Sequence, residues 1–171
     1  MIGTDIIDLV ETKKTSNWQR PRFLEKLFTL NEQQLIHNSE NKFIMVWRLW
    51  SIKEAAYKLY TQIQPCRFYN PKQFQCEIHD NHFKVTYKHF DCFVNTKITS
   101  QYILSEARLI HSEMSSKCIK LPCSSYTNQS QTTKEALLIN VSKQFKILKS
   151  ELKIVKSKFG IPSIYHNSKK L

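Results

Sequence analysis

Glycine is almost missing from this chain: its 171 residues hold two, Gly3 and Gly160. Neither a P-loop nor the glycine fingerprint of a Rossmann turn can be built from so few. Any phosphate must therefore be held by side chains, a metal ion or helix ends. No run of about 18 apolar residues occurs, so nothing reads as a membrane-spanning helix. Cys-x-x-Cys is absent too. The five cysteines (Cys66, Cys76, Cys92, Cys118 and Cys123) form an odd set, and the opening segment alternates like a strand rather than a signal peptide. Both features point to reduced thiols and the cytoplasm. Acidic residues are scarce, 14 against 26 basic, for a net charge of +12. The imbalance is uneven: residues 1–111 carry 15 basic and 11 acidic groups, residues 112–171 carry 11 and 3. Such a surface suits an anionic partner but does not choose among nucleic acid, membrane, phosphorylated cofactor and acidic protein.

What the chain does have is enough apolar residue, 41%, to fold as one domain of mixed α+β class. Its centre is Trp47-Arg48-Leu49-Trp50-Ser51-Ile52-Lys53-Glu54-Ala55-Ala56-Tyr57-Lys58, the middle of a helix expected over residues 41–61 with no Pro or Gly inside. Trp47, Trp50, Glu54, Tyr57 and Lys58 recur at three- and four-residue spacing and are expected on one side. If merely exposed, Glu54 and Lys58 would form a surface pair contributing roughly 0.3–0.5 kcal/mol.

Around this helix the pattern is strand, short helices, helix, strands. Met1–Leu9 reads as an apolar strand with Asp5 and Asp8 embedded in it. Pro21 suits the first turn of a short helix through Phe28, and Thr29-Leu30-Asn31-Glu32 matches a capping box. Period-two runs after Pro71 predict strands through Phe74–Ile78 and Phe83–Tyr87 with a turn at Asp80-Asn81, then strands near Phe90–Ile98 and Tyr102–Ile110. The Ser- and Thr-rich residues 112–133, with Pro122, read as a loop. A helix and a hairpin over residues 134–171, turning around Gly160-Ile161-Pro162, complete the same domain as residues 1–111.

Gly-x-Asp-Ile at the start, followed some 45 residues later by Trp-Ser-x-Lys-Glu-Ala-Ala-x-Lys, resembles the 4′-phosphopantetheinyl transferase superfamily. The holo-(acyl-carrier-protein) synthase type is the nearer likeness, because its aspartate motif also lies at the N-terminus. The string from Arg22 to Glu32 is similar to a third family segment. The resemblance implies a fold of antiparallel strands packed on one long central helix. It also implies Mg²⁺-dependent transfer of phosphopantetheine from coenzyme A to a serine of an acidic acyl carrier protein, with no membrane involved. By resemblance Asp5 and Glu54 hold the metal, and Lys58 donates to the phosphates. Glu54 or a metal-bound water takes the serine proton. Mg²⁺ favours oxygen ligands, typically one or two carboxylates with phosphates and waters, which suits this pair. Lys53, about 100° around the helix from Glu54, is expected at an outer phosphate or at nothing. Asp8, on the opposite strand face from Asp5, ranks second, as a water-mediated or structural acid.

The chain departs from the family in two places. Where the family sets a basic residue against the carrier, Glu11 stands here, with Lys13, Lys14, Arg20 and Arg22 nearby. The family's Ser-x-Ser-His strand, whose histidine helps bind coenzyme A, has no counterpart string, although Leu152–Tyr165 resembles the hairpin that precedes it. A non-catalytic, truncated relative that binds coenzyme A or carrier protein is therefore the rival reading. A basic nucleic-acid module would use the charge and the 20 aromatic residues, but no RRM, KH or zinc-finger pattern is present. A zinc site from Cys76, His79, His82 and His89 is weaker still. Short members of the family often build their site between subunits.

Overall fold

Asp8 closes the first strand, β1 (Gly3–Asp8), and at once caps the helix that follows, α1 (Leu9–Thr15). Its Oδ1 accepts from the N–H groups of Val10 and Glu11, each at 2.9 Å. Asp8 is thus a structural acid, fixing where strand becomes helix. The computed structural model describes residues 1–65, 70–79, 82–116, 118–121 and 125–171. The expected turn at Asp80-Asn81, together with Cys66, Cys123 and Pro122, lies outside the described residues.

Two compact units result, Met1–Ser116 and Lys117–Leu171. In the first, α2 (Phe23–Leu27) begins two residues after the proline. Arg22 stands at its N-cap with a left-handed φ of 63°, so Pro21 precedes the helix instead of opening it. The capping box of α3 (Leu30–Asn38) forms as expected: Glu32 N–H donates to Thr29 Oγ1 at 3.3 Å and Thr29 N–H donates to Glu32 Oε2 at 2.7 Å. Asn41 caps the long helix, α4 (Lys42–Ile63), through the Ile44 N–H at 3.1 Å.

After a 3₁₀ turn at Pro71–Gln73 come β2 (Gln75–His79), β3 (His82–Tyr87), β4 (Phe90–Ile98) and β5 (Tyr102–Arg108). With β1 they make a five-stranded sheet in the order β1-β5-β4-β3-β2, every neighbour antiparallel. Strands alternate as their sequences predict: Phe83, Val85 and Tyr87 point inward, as do Cys92 and Val94. Helix α4 lies against this inner face, with Leu49, Ile52, Ala56 and Leu59 wholly buried. The mixed fold of antiparallel strands on one dominant helix is the one expected.

β5 is buried on both sides, because residues 112–116 fold back over its outer face. Asn95 Nδ2 donates to Ser112 O at 2.6 Å, and the buried Glu106 carboxylate accepts from the Ser115 and Ser116 amides, the Ser116 hydroxyl and Arg108 Nε. Burial acts to raise the Glu106 carboxyl, but these hydrogen bonds outweigh it and hold the group below the usual range.

The second unit corrects the expected loop over 112–133. Helix α5 runs Tyr126–Phe145, so its first eight residues fall inside that stretch. Ser125 caps it, and Thr132 and Thr133 turn their hydroxyls back to the carbonyls of Asn128 and Gln129, at 2.9 and 2.8 Å. Hydroxyls that compete with the backbone in a loop are here absorbed by the helix. β6 (Leu152–Lys156), β7 (Pro162–His166) and β8 (Lys169–Lys170) form a separate antiparallel sheet. Gly160, at φ +81°, makes the β6–β7 turn where it was expected. Among the described residues no helix is long and apolar enough to cross a membrane.

Candidate active site

Gly3 is what lets β1 and α4 meet. A Cβ at this position would lie 2.0 Å from the Ala55 carbonyl oxygen and 2.6 Å from the Leu59 nitrogen, both backbone atoms that cannot step aside. Gln62 Nε2 clasps the same crossing, donating to Ile2 O at 2.7 Å. Two residues along from Gly3, and so on the same face of the strand, stands Asp5.

Lys58 Nζ donates to Asp5 Oδ1 at 2.7 Å. The lysine is 46% exposed and the carboxylate 12%, so the pair sits at a rim with the acid turned inward. Asp5 Oδ2 is buried and has no hydrogen-bond partner among the described residues. Ser105 pairs directly with Asp5 across β1 and β5, and its own Oγ is likewise buried and unpartnered among the described residues. Glu54, half-buried, precedes Lys58 by one turn of α4 and so lies on the same flank. The structure therefore joins Asp5 to Lys58 and sets Glu54 one turn away on the same helix.

An unsatisfied buried carboxylate oxygen costs free energy unless something binds it. The donors here are hard oxygens, which suit Mg²⁺ rather than a thiolate-seeking metal. Among the described residues no three His, Cys, Asp or Glu side chains are arranged to hold a metal ion. The protein would thus contribute a carboxylate pair and leave other positions to phosphate and water, as Mg²⁺ commonly requires.

Lys53 goes elsewhere. It is 0% exposed, and its ammonium spends its three donors on Glu32 Oε1 at 2.8 Å, Pro71 O at 2.9 Å and Phe74 O at 2.5 Å. The expectation of a phosphate ligand is corrected: no donor remains and no phosphate can reach it. Helical periodicity explains the outcome, since the residue 100° from Glu54 points away from β1.

The two indoles share the arc of Glu54, as expected, but lie on earlier turns of α4 where that arc is covered. Trp47 is buried against Phe23 and Phe43, and Trp50 packs on the core. Tyr57 meets Phe74 edge-on at 6.0 Å. Large aromatic surface is drawn inward where α4 is covered, while Glu54 is half-buried and Lys58 exposed.

Cys76 is a core residue: burial pushes its thiol well up. His79 and His82, partners across β2 and β3, stack with ring centres 5.6 Å apart. Lys13, Lys14, Arg20 and Arg22 are exposed. The two arginines line a cavity of about 390 Å³ with Trp18, His37 and Lys42.

Glu32 is the residue whose importance sequence reading missed. Its place in the capping box was legible, but nothing local announced that the same carboxylate would accept from Lys53 and from the Cys76 N–H, at 2.8 Å each.

A family model described as the 4′-phosphopantetheinyl transferase superfamily matches residues 1–113. The C-terminal hairpin, Leu152–Tyr165, lies beyond that match. Among solved structures, the chain is similar to holo-[acyl-carrier-protein] synthase from Helicobacter pylori in complex with coenzyme A, with a TM-score of 0.51 and 16% identity over 63% of this chain and 97% of that one. It is also similar to holo-[acyl-carrier-protein] synthase from Neisseria meningitidis, with a TM-score of 0.50 and 13% identity over 62% of this chain and 94% of that one. At these identities the likeness is one of fold. No curated protein sequence matches the chain.

Proposed function

The chain belongs to the 4′-phosphopantetheinyl transferase superfamily, and from that membership we propose that it carries 4′-phosphopantetheine from coenzyme A to a serine of an acyl carrier protein, with Mg²⁺. The observation that carries this reading is the orphaned Asp5 Oδ2, buried beside a lysine that binds only the other oxygen.

In the reaction the carrier serine oxygen forms a bond to one phosphorus of the pyrophosphate. The bond from that phosphorus to the bridging oxygen breaks, adenosine 3′,5′-bisphosphate leaves, and the serine proton passes to Glu54 or to water. Mg²⁺ held by Asp5 and Glu54 would neutralise the pyrophosphate and the departing bisphosphate. Asp5 has a free oxygen for this without breaking its pair. Lys58 reaches solvent and is the residue that donates to the phosphates as negative charge moves onto the leaving group. Glu54 lies one turn from Lys58, where it can accept a proton beside the phosphates. The exposed Arg20 and Arg22, on their cationic cavity, suit an acidic carrier surface.

The absent Ser-x-Ser-His string favours a second reading, a relative that binds coenzyme A or carrier without transfer. Release of adenosine 3′,5′-bisphosphate separates the two. The chain is mixed with coenzyme A, apo acyl carrier protein and Mg²⁺, and the products are resolved by ion-exchange chromatography. Release that needs both carrier and Mg²⁺ supports transfer. Binding of coenzyme A with no release supports the second reading.

A further inference from the structure

The capping-box glutamate and the buried lysine together form a device that the proposed reaction has not used. Glu32 Oε2 accepts from Thr29 N–H at 2.7 Å and so seals the start of α3. Glu32 Oε1 accepts from Lys53 Nζ and from Cys76 N–H, each at 2.8 Å. Lys53 in turn donates to the carbonyls of Pro71 and Phe74. Two side chains, both 0% exposed, thereby bind α3, α4, the 3₁₀ turn and β2 at one point.

Stability alone is a poor reason for such a pair, because well-packed apolar residues commonly replace buried ion pairs at no loss. What a saturated ion pair does impose is geometry. Each donor of the ammonium and each oxygen of the carboxylate has an assigned partner, so the direction of Lys53 from the α4 axis is fixed. Glu54 is the next residue. Once Lys53 is pinned toward α3 and the 3₁₀ turn, Glu54 must project about 100° away. Lys58 follows one turn later, where it meets Asp5. On the other side α4 is held by the close approach of Gly3 to Ala55 and Leu59. The helix is thus gripped from two sides, and the flank between the grips bears Glu54 and Lys58.

We infer that Glu32 and Lys53 are positioning residues, whose buried pair sets the rotation of α4 and so aims Glu54 and Lys58 at the Asp5 site. The inference rests on the proposed transferase reading. It divides the Lys-Glu dipeptide of the motif between two tasks, the lysine inward for orientation and the glutamate outward for chemistry. Misplacement of about 1 Å can lower a rate by about 100-fold, so small rotations of α4 are enough to matter.

The test compares the full chain with the double variant Glu32→Gln/Lys53→Met, which removes both charges together and leaves no buried ion unpaired. Three quantities are read: the melting temperature, Mn²⁺ binding by electron paramagnetic resonance with no substrate present, and kcat with KM for coenzyme A. Positioning predicts a melting temperature close to that of the parent, weaker Mn²⁺ binding, a kcat lowered about 10- to 100-fold and a KM changed little. A stable double variant with unaltered Mn²⁺ binding and kcat overturns the inference while leaving the transferase reading intact. Should the double variant fail to fold, Thr29→Ala serves instead. It loosens only the capping box and must lower kcat several-fold at constant KM; no change in kcat overturns the inference. A parent chain that neither transfers nor binds Mn²⁺ defeats the transferase reading, and the inference falls with it.

Discussion

Lys58 and Asp5, fifty-three positions apart in sequence, meet at 2.7 Å where α4 crosses β1. The contact uses one carboxylate oxygen and leaves the other buried, without a partner among the described residues. A purely structural ion pair would be expected to satisfy both. The half-satisfied acid, with Glu54 one turn from its lysine, is the basis for a site rather than a clasp.

Because Lys58 is nearly half exposed, the pair contributes little to stability, about 0–1 kcal/mol. Asp5→Asn is therefore expected to melt within a few degrees of the parent while losing Mg²⁺-dependent transfer. Lys58→Met should also fold and lower kcat by about 10²–10³, the usual cost of deleting one donor to developing charge. Calorimetry and steady-state kinetics on the two variants check this, and normal transfer by Asp5→Asn removes Asp5 from the site.

Gly3→Ala tests the crossing itself. The added methyl would fall on the backbone of Ala55 and Leu59, forcing β1 off α4. Overpacking of this kind costs about 1–3 kcal/mol or more. Urea unfolding should show a loss of about that size, together with reduced transfer. A variant as stable as the parent would mean that the strand and helix do not pack this closely.

Lys53→Met alone leaves Glu32 charged and buried with no cation. Such an orphan costs about 3–5 kcal/mol, so this variant is expected to be far less stable than the double variant with Glu32→Gln. Equal stabilities of single and double variants, measured by chemical denaturation, would show that the two residues are not coupled.

Glu106 supplies a pH dependence. Its folded carboxyl is held below the usual range, so it binds its proton less readily than in the unfolded chain. Its contribution is therefore complete above the unfolded value of about 4.3 and is lost as pH falls through the lower folded value. Protection of the Ser115 and Ser116 amides against hydrogen exchange should fall as pH drops through that lower folded value, more steeply than global unfolding accounts for. In Glu106→Gln these amides should already exchange quickly at neutral pH. Protection unchanged by acid or by this variant would contradict the assigned role.

The parts of the chain legible from sequence were those with local causes. The Thr29–Glu32 box, the unbroken run of α4 and the period-two strands were each written within a few residues. So was the aspartate motif, although the reason for its glycine appears only when Ala55 and Leu59 arrive from another element. Helical spacing grouped Trp47 and Trp50 with Glu54 correctly on one arc, but a wheel cannot say which turns along that arc the rest of the fold will cover. Lys53 was misjudged for a related cause: its partners, Glu32, Pro71 and Phe74, come from separate segments, and a lysine carries no sequence mark of burial. The start of α5 was hidden by serines and threonines that favour loops until their hydroxyls find carbonyls one turn back.

Intact mass spectrometry of an apo acyl carrier protein, incubated with the chain, coenzyme A and Mg²⁺, tests the central claim most directly. The account predicts a gain of one phosphopantetheine group that disappears when Mg²⁺ is chelated and when Asp5→Asn replaces the parent. An unmodified carrier after prolonged incubation with the folded parent chain would contradict it.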